Sequence, residues 1–207
     1  KKYMFPFFET IRYTNGFPEN LTLHQQRVDY TLKHFSAKTS IDLANHIQSM
    51  TSKPIMDNKV YKCRFKYDVD GHIDISFEPY SIKSIQTISI HDVGSYQYPF
   101  KYTERTWLNN IVRAAGTDEV ILTHKGLIKD ASYANLVFFD GKTWITPSQP
   151  LLMGTRRASL INAKTIIESP IQVKELEKFS FVKCINAMML WEESPMIKIE
   201  HNLFKFF

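Results

Sequence analysis

Charged residues cover every soluble protein, so chemistry is sought where their neighbours are unusual. Lys101 follows the aromatic-rich stretch Tyr96-Gln97-Tyr98-Pro99-Phe100. Large apolar neighbours can wall an amine off from water. Desolvation lowers a lysine pKa, so that the amine is neutral and nucleophilic part of the time. Gly154, followed by Thr155 and Arg156, can present backbone N–H groups at a helix start. Unpaired donors and the helix dipole there favour a dianion. Arg64 and Lys66 alternate onto one face of a strand, with Tyr67 on the other. Cations in that place suit substrate carboxylates, and they equally protect an edge strand from pairing. The seven histidines form neither an HExxH motif nor an i, i+4 pair, so no metal site is expected. GxSxG, Walker and GxGxxG motifs are absent.

These residues need elements to hold them. Residues 7–14 are β-branched and aromatic and read as a strand, closed by turn residues at 15–20. Thr22 can cap a helix reaching about Phe35, with Leu23, Val28, Leu32 and Phe35 inward. Ser40 can cap a second helix to about Met50, stopped at Lys53-Pro54. Strand-like runs follow at 59–67, 72–77 and 85–90, the first two joined by a turn at 68–71. Residues 97–102 read as a connector because Pro99 interrupts any period. The pattern then changes to a short helix over 104–115 closed by Gly116, strands at 120–123, 136–139 and 143–145, and a helix over 155–163. Further strands are expected at 164–167, 171–173, 181–189 and 196–199. The division expected is an N-terminal α+β lobe over 1–96, a connector over 97–103 and a C-terminal α+β lobe over 104–207.

Lys101 opens KYTERTWLNN, and DEVILTHKGLIKDASYANLVFFDGKTWITPSQPLLMGTRRASL follows. The order is a lysine opening a helix, a turn with Gly126, Asp130, small residues, Asn135 before an apolar strand, Thr146-Pro147, and Gly154 with Arg157. With FFETIR and LTLHQQRVDYTL before it and KCINAMMLWEESPM after it, this resembles the fold-type IV, pyridoxal-phosphate-dependent class-IV aminotransferases. That family includes branched-chain and D-amino-acid aminotransferases and 4-amino-4-deoxychorismate lyase. The resemblance spans nearly the whole chain and implies a two-lobed α+β fold with the cofactor between the lobes.

It also implies roles. Lys101 would hold pyridoxal 5'-phosphate as a Schiff base, and the protein would orient the cofactor as an electron sink. Asp130, where the family usually has glutamate, would keep the pyridine nitrogen protonated. Arg27 would pair with the phosphate, joined by Gly154, Thr155, Arg156 and the turn Asn186-Ala187-Met188. Asn135 would complete the cofactor set. Thr10, Arg12, Arg64 and Arg105 are candidates for the substrate. Met188 and the Lys101/Arg105 spacing resemble the lyase branch. The reaction implied is conversion of 4-amino-4-deoxychorismate to 4-aminobenzoate and pyruvate, a step in folate biosynthesis. An aminotransferase acting on branched-chain or D-amino acids is one alternative. A degenerate, non-catalytic binding protein is another.

With 207 residues the chain can bury a sizeable core. Apolar residues at 43% and charged residues at 23% exclude a disordered or collagen-like chain. No stretch approaches 18 uncharged apolar residues, so no transmembrane helix is expected. The N-terminal KKYMFPFF is too short in its apolar run for a signal peptide. The net charge of +5 is scattered, and the aromatics lie in strand-like runs beside aliphatics. Neither nucleic acid nor membrane is therefore expected as a partner. Cys63 and Cys184 lie far apart and fit buried thiols in a reducing, cytoplasmic compartment. A small-molecule amino substrate and, by the resemblance, a homodimer complete the expectation.

Overall fold

The computed structural model describes residues 5–50, 57, 59–200 and 203–206. The chain divides into two compact units. One comprises Lys1–Ile82 with Phe100–Glu104, the other Lys83–Pro99 with Arg105–Phe207.

The first unit is an antiparallel sheet with two helices. Strand β1 (Phe7–Thr14) turns into the two-residue β2 (Phe17–Pro18) and then into helix α1 (Leu21–His34). Helix α2 (Leu43–Met50) and strands β3 (Val60–Tyr67) and β4 (Ile73–Pro79) follow, giving the order β2-β1-β3-β4. Alternation sends Phe7, Ile11 and Tyr13 of β1 and Cys63, Phe65 and Tyr67 of β3 into one core with Val28, Leu32, Leu43 and Ile47 of the helices. The turn at 68–71 does join β3 to β4. The Asp68 N–H donates to the His72 carbonyl at 3.2 Å, and Gly71 supplies the left-handed φ of 89° that a side chain would resist.

In the second unit, strand β5 (Ile88–Asp92) precedes helix α3 (Thr106–Ala115) and strands β6 (Glu119–His124), β7 (Leu127–Ala131), β8 (Asn135–Phe139) and β9 (Trp144–Pro147). Helix α4 (Thr155–Asn162), strand β10 (Ile167–Ser169), a 3-10 helix (Val173–Lys178) and strands β11 (Phe181–Ile185), β12 (Met196–Lys198) and β13 (Phe204–Phe206) complete it. Two sheets result, ordered β10-β9-β8-β11-β12 and β13-β5-β6-β7. Their shared core contains Ile88, Ile121, Ile128, Leu136, Phe138 and Val182.

Several expectations need correction. The lobe boundary does not fall at 96. Strand β5 pairs in parallel with β6 along Ile88–Asp92, which draws 83–99 into the second unit. The connector returns instead, because the Phe8 N–H donates to the Lys101 carbonyl at 3.0 Å and the Thr103 N–H to the Pro6 carbonyl at 2.8 Å. Helix α1 starts one residue before Thr22, with Asn20 as its cap in the left-handed region. Helix α2 starts after Asp42 rather than Ser40, because Asp42 Oδ1 accepts from the Asn45 N–H at 3.1 Å. Its expected stop at Lys53-Pro54 lies outside the described residues. Strand β7 was missed between two better signals. At 164–167 the chain first turns, with Lys164 at φ 58°, and pairs only from Ile167. At 171–173 only Gln172 makes a bridge, to Leu127, before the 3-10 helix. The apolar run 181–189 ends as a strand at Ile185, because the Asn186 side chain accepts from the Met188 N–H at 2.8 Å and closes a turn.

Candidate active site

In the first unit the two faces of β1 carry different chemistry. The inward face holds one acid, Glu9, which is fully buried among apolar residues. Such a group needs a cation. Arg27 supplies it from α1, donating Nε to Glu9 Oε1 at 2.8 Å and Nη2 to Oε2 at 2.5 Å. His24, one turn earlier, places Nδ1 2.6 Å from Glu9 Oε2. Burial alone would raise the Glu9 pKa, but the Arg27 charge and these hydrogen bonds hold it down at about 2. Burial lowers the pKa of His24 against the pull of Glu9, with the charges of Arg27 and Lys101 acting in the same sense as burial. A neutral His24 donates its Nδ1–H to the carboxylate. The sequence reading found Arg27 but missed Glu9 and His24. The available signal was an acid at an inward strand position, with a histidine and an arginine three apart on the next helix.

On the opposite face lie Phe8, Thr10 and Arg12. Lys101 Nζ lies 4.8 Å from the Phe8 ring centroid, and Arg64 Cζ lies 4.4 Å from the same ring. The amine is thus backed by an aromatic ring and is part-buried. The structure therefore brings Lys101 and Arg64 together around Phe8, with Thr10 opposite Arg64 across β1 and β3. Arg12 differs: it is almost fully buried and donates Nε to Glu19 Oε1 at 2.8 Å.

The second unit builds a different arrangement. Asp130 is the penultimate residue of β7, and Asn135 begins β8. Asn135 Nδ2 donates to Asp130 Oδ1 at 2.6 Å and to the Leu152 carbonyl at 2.9 Å, and the Leu152 N–H donates to Asp130 Oδ2 at 2.9 Å. This closed ring fixes the approach to α4. Gly154 caps that helix at φ −74°, which any residue adopts. The reason for glycine is space. A Cβ there would lie 1.9 Å from Asn135 Oδ1. Asn135 also faces Ile185 across β8 and β11, so the Asn186-Ala187-Met188 turn begins beside it. Two turns rich in N–H groups, at Gly154-Thr155-Arg156 and at 186–188, thus meet at one asparagine. Thr155, Arg156 and Met188 are all buried. Arg157 holds α4 to its neighbours, donating Nη2 to the Pro147 carbonyl at 2.9 Å and to Glu168 Oε1 at 2.5 Å.

Burial pushes the Asp130 carboxyl up to about 7, although Leu152 and Asn135 stabilise its charged form. Among the described residues no cation forms an ion pair with it. Its hydrogen-bond donors are the backbone N–H groups of Leu151 and Leu152 and the Asn135 amide. Arg105 lies at the turn beyond Asp130. Its guanidinium donates to the Ser132 carbonyl and lies 5.9 Å from the Tyr98 ring. The Ser132 N–H is held by Glu119 Oε1 at 2.8 Å, so Arg105 and Glu119 hold the carbonyl and the N–H of one residue in the turn that separates Asp130 from Asn135.

A group with a phosphate and a basic ring nitrogen fits these residues. The phosphate would meet the N–H donors at the start of α4. A protonated ring nitrogen would meet a buried carboxyl that lacks a cationic partner.

Residues 6–192 match the family Amino-transferase class IV, and the chain belongs to that family. Its fold, mixed in helix and sheet, is that of the fold-IV enzymes. A crystal structure of a "putative 4-amino-4-deoxychorismate lyase" from Haemophilus somnus 129pt is 33% identical, covers 91% of this chain and 98% of that one, and superposes with a TM-score of 0.84. An uncharacterised protein of Haemophilus influenzae is 31% identical over 186 residues, 89% of this chain and 98% of its own length. A "putative amino-acid aminotransferase" from Mesorhizobium loti shares the fold at 17% identity, covering 98% of this chain and 100% of its own, with a TM-score of 0.75. No helix among the described residues is long and apolar enough to cross a membrane.

Proposed function

We propose that this chain is a pyridoxal-phosphate-dependent lyase that converts 4-amino-4-deoxychorismate to 4-aminobenzoate and pyruvate. The observation that carries the reading is the 33% identity, over almost the whole of both chains, to the Haemophilus somnus protein described in those terms. The Asn186-Ala187-Met188 turn supports it, with Met188 where other family members carry a smaller residue.

In this reading Lys101 carries the cofactor. Bound there, the cofactor supplies an electron sink for the substrate's amine-bearing carbon. The N–H groups at Gly154, Thr155 and Arg156 and at the 186–188 turn hold the phosphate. Asp130 keeps a proton at the ring nitrogen, and the incoming positive charge brings its raised pKa back down. The resemblance adds Arg27 as a phosphate ligand; its Nε and Nη2 are already given to Glu9. Lys101 Nζ takes the proton from the amine-bearing carbon. As the bond to the enolpyruvyl oxygen breaks, the same nitrogen can return a proton to the departing enol, which becomes pyruvate. Atoms balance without an oxidant or a second substrate. Aromatisation of the ring drives the step, so the protein contributes proton transfer and positioning.

We extend the reading to a cytoplasmic homodimer that acts on a small amino substrate in folate biosynthesis, independently of membrane and nucleic acid. The test is direct. Protein loaded with pyridoxal 5'-phosphate should show a visible absorption band that borohydride removes and that Lys101→Ala lacks. It should release 4-aminobenzoate and pyruvate in equal amounts from 4-amino-4-deoxychorismate. A keto acid formed from an amino donor, with no 4-aminobenzoate, would instead make it an aminotransferase.

A further inference from the structure

Asp130 stands on a short stretch of ladder between two interruptions. Strand β7 pairs with β6 first as His124 with Leu127 and Thr123 with Ile128, and then as Leu122 with Asp130 and Ile121 with Ala131. Lys129 is therefore an extra residue on β7 just before the acid, and such a bulge bends its strand and loosens the pairing. One residue after Asp130 the strand ends, and the Ala131 N–H donates to the Ala134 carbonyl at 2.9 Å. Beyond this point the hold on the chain comes from Glu119, the first residue of β6, which is fully buried. Its Oε1 accepts from the Ser132 N–H at 2.8 Å and from the Val120 N–H at 3.0 Å. Its Oε2 makes no hydrogen bond among the described residues and lies 3.7 Å from Lys83 Nζ. Arg105 takes the Ser132 carbonyl. A carboxylate is a costly group to bury, and this one closes the turn that β7 and β8 share.

We propose that Glu119 is a positioning residue for the cofactor: by holding the Ser132 N–H it fixes the end of β7, and with it the direction in which Asp130 meets the ring nitrogen. The inference rests on the reading of Asp130 as the partner of that nitrogen. The route is short. Ser132 lies in the turn between Asp130 and Asn135, and the Asn135 amide donates to Asp130 Oδ1 at 2.6 Å. Releasing the Ser132 N–H opens the turn, lengthens the bond between Asp130 and Asn135, and admits water to the carboxyl. What this site requires of residue 119 is reach and an acceptor oxygen. Charge matters less, because Lys83 is about half exposed and its pull on Oε2 is screened.

The experiment separates reach from charge. Glu119→Asp keeps the charge and draws the oxygens back by one methylene. Glu119→Gln keeps the reach and an acceptor oxygen. Val182→Ala, a truncation in the shared core of the same unit, controls for lost stability. Two NMR titrations are recorded. In cofactor-free protein with labelled aspartate carboxyls, assigned by Asp130→Asn, Asp130 should titrate at about 7 in wild type, Glu119→Gln and Val182→Ala. In Glu119→Asp it should titrate about one pH unit lower, as water reaches the carboxyl. In protein loaded with pyridoxal 5'-phosphate labelled at its ring nitrogen, that nitrogen should be protonated at neutral pH in the same three proteins. In Glu119→Asp it should lose its proton at a pH about one unit lower, because its carboxylate partner is displaced. Glu119→Asp with either titration as in wild type overturns the inference. Glu119→Gln or Val182→Ala shifting as far as Glu119→Asp overturns it too, since charge or general stability is then the cause. A wild-type ring nitrogen without its proton at neutral pH overturns the reading of Asp130 as its partner, while the carboxyl titration still shows whether Glu119 sets Asp130.

Discussion

Two buried carboxyls are tuned in opposite directions, and the difference lies in the charge beside each. Glu9 has Arg27 in contact, so it stays ionised down to about pH 2 although fully buried. Asp130 has only neutral donors in contact, so burial prevails and its carboxyl rises to about 7. The two make opposite contributions to stability. Glu9, depressed from its ordinary 4.5, contributes about 3 kcal/mol above that pH, and the contribution disappears as pH falls towards 2. Asp130, raised from 3.8, binds its proton more tightly folded than unfolded. It therefore makes the cofactor-free protein less stable by about 4 kcal/mol as pH rises from 4 through 7. Denaturant unfolding of cofactor-free protein across this range should show a rise and then a decline. Glu9→Gln should remove the acid limb and cost about 3–5 kcal/mol near neutrality, because Arg27 then loses its counter-charge. Asp130→Asn should flatten the neutral decline. A profile that keeps its slope between pH 4 and 7 in Asp130→Asn would refute the assignment. The Glu9 cluster was half legible in the sequence. Alternation set Glu9 on the side of Phe7 and Ile11, but no pattern says which of 26 Lys and Arg residues answers an inward acid. That choice is made when α1 packs on β1.

At the scale of elements, regular segments were readable and their ends were not. Strand β1 is where its β-branched and aromatic composition puts it, because both faces have uses there. The ends of α1, α2 and β11 moved because each is fixed by a local hydrogen bond or turn: at Asn20, Asp42 and Asn186, respectively. Composition sees such residues only as turn formers. Helix α4 carries the sharper lesson. Gly154 was read as a residue that frees backbone N–H groups, and the packing adds that its lack of a side chain admits Asn135 Oδ1. Gly154→Ala should displace Asn135, and with it the bonds to Asp130 and Leu152. The expected cost is about 1–3 kcal/mol in unfolding, together with weaker retention of pyridoxal phosphate on dialysis. Asn135→Ala alone should also destabilise, by stranding the Asp130 and Leu152 groups. Because the clash and the lost bonds belong to one contact, the double variant should cost clearly less than the two single costs added. Additive costs would mean that Gly154 and Asn135 act separately.

At the scale of the whole chain, the position of Lys101 depends on a detour. After Ile82 the chain leaves the first unit, lays β5 against β6 in the second, and returns for residues 100–104 before leaving again. A sequence read from left to right cannot show this, because the pairing that draws 83–99 away involves β6, some thirty residues later. What pins the return is Phe100. It is almost fully buried, and its ring lies 4.6 Å from His34, 5.1 Å from Phe35, 5.7 Å from Tyr30 and 5.9 Å from Tyr102. Tyr102 in turn lies 5.5 Å from Phe7, whose residue bridges to it. The residue on each side of Lys101 is therefore an aromatic anchor, and the lysine is the short span held between them. Phe100→Ala should cost about 3–5 kcal/mol, the usual range for emptying a buried phenylalanine site. Under native conditions it should also slow the appearance of the visible band on adding pyridoxal phosphate, since the amine then samples positions away from Phe8. Phe100→Leu, which keeps most of the volume, should restore most of the stability. Stopped-flow absorbance beside an unfolding curve separates the effects. If Phe100→Ala loses stability but captures the cofactor at the wild-type rate, then the backbone pairing of Lys101 with Phe8 alone sets the amine, and the ring cluster serves only the fold.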